Sequence, residues 1–192
     1  EPDSQGEWST GISPAVYSEL VVYTRAALDD AGFSDVGIVG PGATAFDYGH
    51  SSRDMMLALS DEAVAAHAAW SSHSWDDGVV CEGGAECLTR AWRDFADAIA
   101  AKDPDGSRPI WVTEYATRET DLPGGEWPLP DTDGTFNATW SPAYAVRVFE
   151  NTLAHLNNGA SAPFNGQLLD EPTEVKNKHK AWGLIALDGT EK

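Results

Sequence analysis

Cationic side chains are scarce in this sequence: 12 Lys and Arg stand against 31 Asp and Glu, a formal net charge of -19. A surface of that sign repels phosphate backbones and anionic bilayers, which argues against nucleic acid or a membrane surface as a partner. Long hydrophobic runs are missing too. No apolar stretch approaches the roughly 20 residues of a membrane-spanning helix, and no signal-peptide pattern is present, so a soluble chain is expected. Cysteine is limited to Cys81 and Cys87, at the two ends of a loop-like segment with Gly83 and Gly84 between them. Two cysteines in one loop are too few for a zinc site unless histidines join them, and the two-residue spacing of a zinc knuckle is absent. They could instead close a small disulfide ring, which favours an oxidising, extracellular setting. A glycine-rich phosphate loop is also lacking. Gly40-Pro41-Gly42 has no helix-opening third glycine, so a dinucleotide site is not supported and no cofactor is expected.

What is there is a globular composition, 42% hydrophobic and 10% aromatic, with eight tryptophans. Ser13-Pro14 reads as N-cap and first helical residue, with Val16, Tyr17, Leu20, Val21, Ala27 and Leu28 on one face and Gly32 as the stop. Val36 to Val39 predicts a short buried strand that Gly40-Pro41-Gly42 breaks. A loop and short helix over roughly 51–66 lead to a second strand, Ala68 to His73. An amphipathic helix follows from about Glu86 to Lys102, with Leu88, Trp92, Phe95 and Ile99 spaced by three and four. Ile110 to Thr113 is the next strand and ends at Glu114. A polar loop runs from about Ala116 to Trp140, a length that usually means function or mobility. Ser141-Pro142 starts a helix with Ala145, Val148, Phe149, Thr152, Leu153 and Leu156 as its buried face, and Gly159 closes it. Phe164 to Leu169 and Trp182 to Leu187 complete the strands. Strict alternation of helix and strand implies parallel strands joined by right-handed crossovers.

Three strand ends carry reactive groups: His73 with Trp75, Glu114 with Tyr115, and Asp170 with Glu171 after Leu169. Strand ends at the mouth of a parallel barrel converge on one pocket. Glycoside cleavage needs two carboxylates and benefits from aromatic rings against the sugar. The bland alternatives are an ordinary strand-end glutamate facing water, a satisfied core histidine and tryptophans that only pack; Trp92 reads as core, and Trp70 and Trp111 as members of helix or barrel layers.

These residues resemble the clan A retaining glycoside hydrolases, families 5, 30 and 39 among them, which share a (β/α)8 TIM barrel. Trp111-Val112-Thr113-Glu114-Tyr115 is similar to the clan's seventh-strand motif, and the resemblance implies Glu114 as nucleophile. Glu1-Pro2 resembles the end of the Asn-Glu-Pro motif, which implies Glu1 as acid/base; the preceding asparagine is not in the chain. His73-Ser74-Trp75 looks like the sixth-strand ending. Trp182 to Thr190 resembles the segment after the eighth strand; the stacking tryptophan expected at the end of that strand is absent, and Gln167 to Glu171 stand in its place. The fold implied is α/β: half of the barrel, about four parallel strands equivalent to strands 5–8 with flanking helices, as one partial domain over 1–192. His73, Trp75, Tyr115 and Trp8 are implied as substrate contacts, a carbohydrate as the partner, and secretion as the setting.

Two other readings compete. One is a catalytically inactive carbohydrate-binding half-barrel; the other is a metal hydrolase using His67, His73, Asp76 and Asp77, where the two histidines, six apart on or near a strand, would share a face. Half a barrel would leave the inward-facing side chains of Val36, Ile38, Ala69, Val112 and Leu168, and two strand edges, without neighbours. Association as a homodimer or with a complementary half-barrel is therefore expected. Size-exclusion chromatography with light scattering checks it: an associated species is expected, and a stable, well-folded monomer contradicts it.

Overall fold

The structure, a computed structural model, describes residues 2, 5–6, 9–44, 51–74, 85–115 and 142–165. Its first elements are two strands of two residues each, β1 (Gln5–Gly6) and β2 (Ser9–Thr10), paired antiparallel within what the sequence suggests is a polar loop. Helix α1 (Pro14–Asp30) starts as expected. Ser13 accepts from the Val16 N–H and Pro14 occupies the first turn, where its missing N–H costs nothing. At its other end Arg25 folds the chain back toward the sheet by donating to Asp29, to the Phe33 carbonyl and to the Val36 carbonyl.

Strand β3 (Ile38–Ala43) corrects the sequence reading, because it begins at Ile38 and runs through Gly40-Pro41-Gly42 instead of ending there. Proline is tolerated because β3 lies at the edge of the described sheet, where a missing N–H need not break a ladder. The single expected helix is two short ones, α2 (Ser52–Leu57) and α3 (Asp61–Ala66), each with its own serine cap, Ser51 and Ser60. Strand β4 (His67–Ser74), α4 (Ala85–Lys102), β5 (Ile110–Tyr115), α5 (Pro142–Asn157) and β6 (Ala162–Asn165) follow. The strands stand in the order β3-β4-β5-β6 and every pairing among them is parallel, as the alternation requires. Among the described residues no helix is long and apolar enough to cross a membrane.

The core lies between sheet and helices. Trp70, Val112, Trp92, Phe95, Met56, Leu59 and Ile99 are all buried there. This corrects the expected inward set: Val112 and Ile38 face the helices, Val36 precedes the strand and is exposed, and Leu168 lies outside the described residues. Ala69, 2% exposed, stands one residue from the helix-facing Trp70 and so takes the opposite face.

The lower end of the sheet is fastened by one buried acid. Asp103 accepts from the Trp70 indole N–H at 3.0 Å and pairs with Arg108 at 2.7 Å. Arg108 also donates to the His67 carbonyl and lies over the Trp70 ring. Burial alone would raise the Asp103 carboxyl, but the hydrogen bonds from Trp70 and Arg108 and the guanidinium charge hold it below the usual carboxylate range. Asp103→Ala strands the indole N–H and the guanidinium; a loss of about 3 kcal/mol is expected in urea unfolding, with Asp103→Asn losing less.

Candidate active site

Lateral neighbours in a parallel sheet point to the same side, so pairing register decides which side chains share a face. Between β4 and β5 the register runs Trp70↔Ile110, Ser71↔Trp111, Ser72↔Val112 and then His73↔Glu114, Ser74↔Tyr115. One residue of β5, Thr113, is skipped, which makes a β-bulge. On both sides of the skip the helix-facing residues are known independently. Before it, Val112 belongs to the core against α4; after it, the Tyr115 hydroxyl bonds Thr152 of α5 at 2.5 Å. Two helix-facing positions three apart require the alternation to slip between them. Glu114 thus lands on the opposite face, beside His73, at the carboxyl ends of two adjacent strands. Bulges near the rims of barrels re-aim side chains in this way.

Both side chains are partly exposed. His73 and Glu114 are the two predicted site residues that the structure brings together. Tyr115 is a correction: expected against substrate, it is 3% exposed and its ring lies edge-on to His155 at 4.9 Å, on the helix side of β5. Glu1, Trp8 and Trp75 lie outside the described residues, as do Cys81, Asp76, Asp77, Asp170 and Glu171. Cys87 is the third residue of α4, with its side chain outside the description.

The shared-face expectation for His67 and His73 fails for the same kind of reason. The β3–β4 register passes from Ile38↔His67 to Val39↔Ala69, skipping Ala68 and turning His67 to the helix side. There His67 is 3% exposed, with its Nδ1 at 2.8 Å from the Ala63 carbonyl and its Nε2 at 3.2 Å from the Tyr17 hydroxyl. The carbonyl fixes the proton on Nδ1, so Nε2 accepts from the phenol, which burial keeps protonated by pushing it up. Gly40 makes room, since a Cβ there would meet both the Tyr17 hydroxyl and His67 Nε2. Among the described residues no cluster of ligating side chains could hold a metal.

Behind Glu114 sits a support of which the apolar periodicity included Thr152 and missed His155. Thr152 takes the Tyr115 hydroxyl and donates to the Val148 carbonyl at 2.8 Å; His155, 1% exposed, accepts from the Trp92 indole N–H at 2.9 Å. These polar partners set the rotation of α5. The expected apolar face is instead largely outside, with Phe149 63%, Leu153 40% and Leu156 46% exposed. The further signal available in sequence was His155, three residues after Thr152.

Comparison with known proteins gives fold without family. No protein-family model matches the chain, and no curated protein matches its sequence. Among solved structures, a family 51 α-L-arabinofuranosidase from Bifidobacterium longum superposes with a TM-score of 0.64 at 16% identity, over 96% of this chain and 40% of that one. An endo-laminarinase from Formosa matches at 0.60 and 16%, over 100% of this chain and 54% of that one. An active-site mutant of the Rhizomucor miehei β-1,3-glucanosyltransferase, in complex with laminaritriose, matches at 0.55 and 10%, over 94% and 56%. The chain therefore spans about half the length of the solved chains it matches. With its four parallel strands and outer helices it is part of a (β/α)8 barrel.

Burial pushes the His155 imidazole down to about 4 from its ordinary 6.5. The unfolded chain takes up a proton below about pH 6.5 that the native state refuses, so stability falls as pH falls from about 6.5 to about 4, by roughly 3 kcal/mol in all. His67, lowered mainly by burial, adds in the same direction. His155→Phe should flatten the curve in that window while losing about 1–3 kcal/mol at pH 7, because the Trp92 N–H loses its acceptor; urea unfolding at a series of pH values checks both.

Proposed function

We propose that this chain is the strand-5-to-8 part of a glycoside hydrolase that cleaves β-glycosidic bonds by retaining double displacement. The observation that carries the proposal is the register slip that puts Glu114 beside His73 at the mouth of adjacent parallel strands. The solved structures of similar fold, which act on or bind glucans and arabinofuranosides, support a carbohydrate as partner.

In the first step the Glu114 carboxylate attacks the anomeric carbon. The glycosidic C–O bond breaks as Glu1, protonated, gives its proton to the leaving oxygen, and a glycosyl ester on Glu114 results. In the second step the Glu1 carboxylate takes a proton from water, the water oxygen attacks the same carbon, and Glu114 leaves as carboxylate. Retention calls for the two carboxyls to stand roughly 5–5.5 Å apart. His73, on the same face as Glu114, orients it or the substrate, and Trp75 and Trp8 offer rings to the sugar. A neutral glycan, unlike a polyanion, is not repelled by the net charge of -19.

A second reading, a non-catalytic carbohydrate-binding half-barrel that pairs with another half, draws on the face away from the helices. Trp111 and Phe164 meet edge to face there at 6.3 Å, and Phe164 is 49% exposed. A panel of aryl β-glycosides and β-glycans distinguishes the two. Under the catalytic reading Glu114→Gln lowers turnover by about a thousand-fold or more, and a 2-deoxy-2-fluoro aryl glycoside modifies Glu114, located by peptide mass mapping. Equal, near-zero rates for both proteins, with binding retained, support the binding module instead.

A further inference from the structure

Three hydroxyls converge where β4 and β5 slip. Ser52 Oγ, in the first turn of α2, donates to Ser72 Oγ at 2.8 Å; Ser72 Oγ donates to the His73 carbonyl at 2.8 Å; Thr113 Oγ1 makes a long contact of 3.5 Å to the Ser72 carbonyl. Ser52 and Ser72 are both 0% exposed. A buried hydroxyl without a partner is costly, and here each hydroxyl reaches one. The chain of bonds also occupies a particular place: Ser72 is the last residue before the shift, and Thr113 is the residue that the shift skips. Ser72 thus touches both strands and helix α2 at the point where regular pairing would continue from Ser72↔Val112 to His73↔Thr113. In that regular register Glu114 would share the helix-facing side with Val112, away from His73.

We propose that Ser72 is a positioning residue: its hydroxyl on the His73 carbonyl and its own carbonyl under Thr113 hold the slipped register that sets Glu114 beside His73. Its catalytic consequence rests on the reading of Glu114 as nucleophile; its structural consequence does not. Apolar packing needs neither serine, since two alanines would fill most of the same slot between α2 and β4.

The test pairs Ser72→Ala with the double variant Ser52→Ala/Ser72→Ala. The single change leaves the Ser52 hydroxyl buried and unpaired, so its melting temperature falls; the double change removes both polar groups and recovers part of that loss. Register is read directly from cross-strand amide NOEs in isotope-labelled protein. Wild type shows contacts of His73 with Glu114, and both variants shift them toward Thr113. Turnover should fall about 10- to 100-fold in both variants with KM changed less, and should stay low in the double variant although its stability has recovered. The proposal is overturned if the His73–Glu114 contacts persist in the double variant, or if turnover returns in step with melting temperature. Should Ser72→Ala fail to fold, the double variant decides. Absence of Glu114 labelling in the wild type counts against the nucleophile and leaves the register measurement valid.

Discussion

A single skipped residue between β4 and β5 decides which face Glu114 presents. Upstream of Thr113, alternation sends Ile110 and Val112 into the core beneath α4. Downstream, it sends Tyr115 into α5, and the residue caught between the two phases is Glu114. An unbroken strand would satisfy either the core or the tyrosine, not both, because positions three apart cannot share a face of a regular strand. The bulge reconciles them, and its by-product is a carboxylate on the face away from the helices, beside an imidazole.

The rest of the fold holds that slip in place from two directions. At the amino ends of the strands, Asp103 ties Trp70 of β4 to Arg108 just ahead of β5, and Arg108 reaches back to the first carbonyl of β4. Sliding β5 along β4 as a whole would break this buried charged knot. At the carboxyl ends, Thr152 and His155 fix Tyr115 and Trp92, so the end of β5 is fastened to α5. The two anchors thus fasten opposite ends of the β4–β5 pair. Among the described residues the groups with clear shifts, Asp103, His67, His155 and Tyr17, all sit in packing contacts away from Glu114. Burial sets the direction for His67, His155 and Tyr17, while the hydrogen bonds and charge of Trp70 and Arg108 override burial at Asp103.

The face away from the helices is where half a barrel is least complete. Trp111 and Phe164 stand on it as an edge-to-face pair, and solved chains of the same fold extend over roughly twice this length. Strands β3 and β6 are the edges of the described sheet, and open edges invite pairing. A net charge of -19 works against promiscuous association through such edges, since like-charged copies repel at long range.

What the sequence determined by itself was local. Serine caps, glycine stops and hydrophobic period placed α1, α4, α5 and β4 within a few residues, and strict alternation implied the parallel order. The end of β5 at Glu114 was legible because strand-forming residues run straight into it. Three things were decided by tertiary structure. Proline within β3 is accommodated because that strand lies at an edge of the described sheet. The inward face of α5 was set by hydrogen-bond partners on other elements, which apolar period does not count. Which face Glu114, Tyr115, His67 and Val112 present depends on register between strands, a relation of two distant segments that neither encodes alone. A one-residue slip reverses every face beyond it, so Glu114 and His73 could be read from the sequence as strand-end groups and Thr152 as a buried position, while the face they share and the contacts of Ser72 and His155 emerged only when the strands were laid side by side.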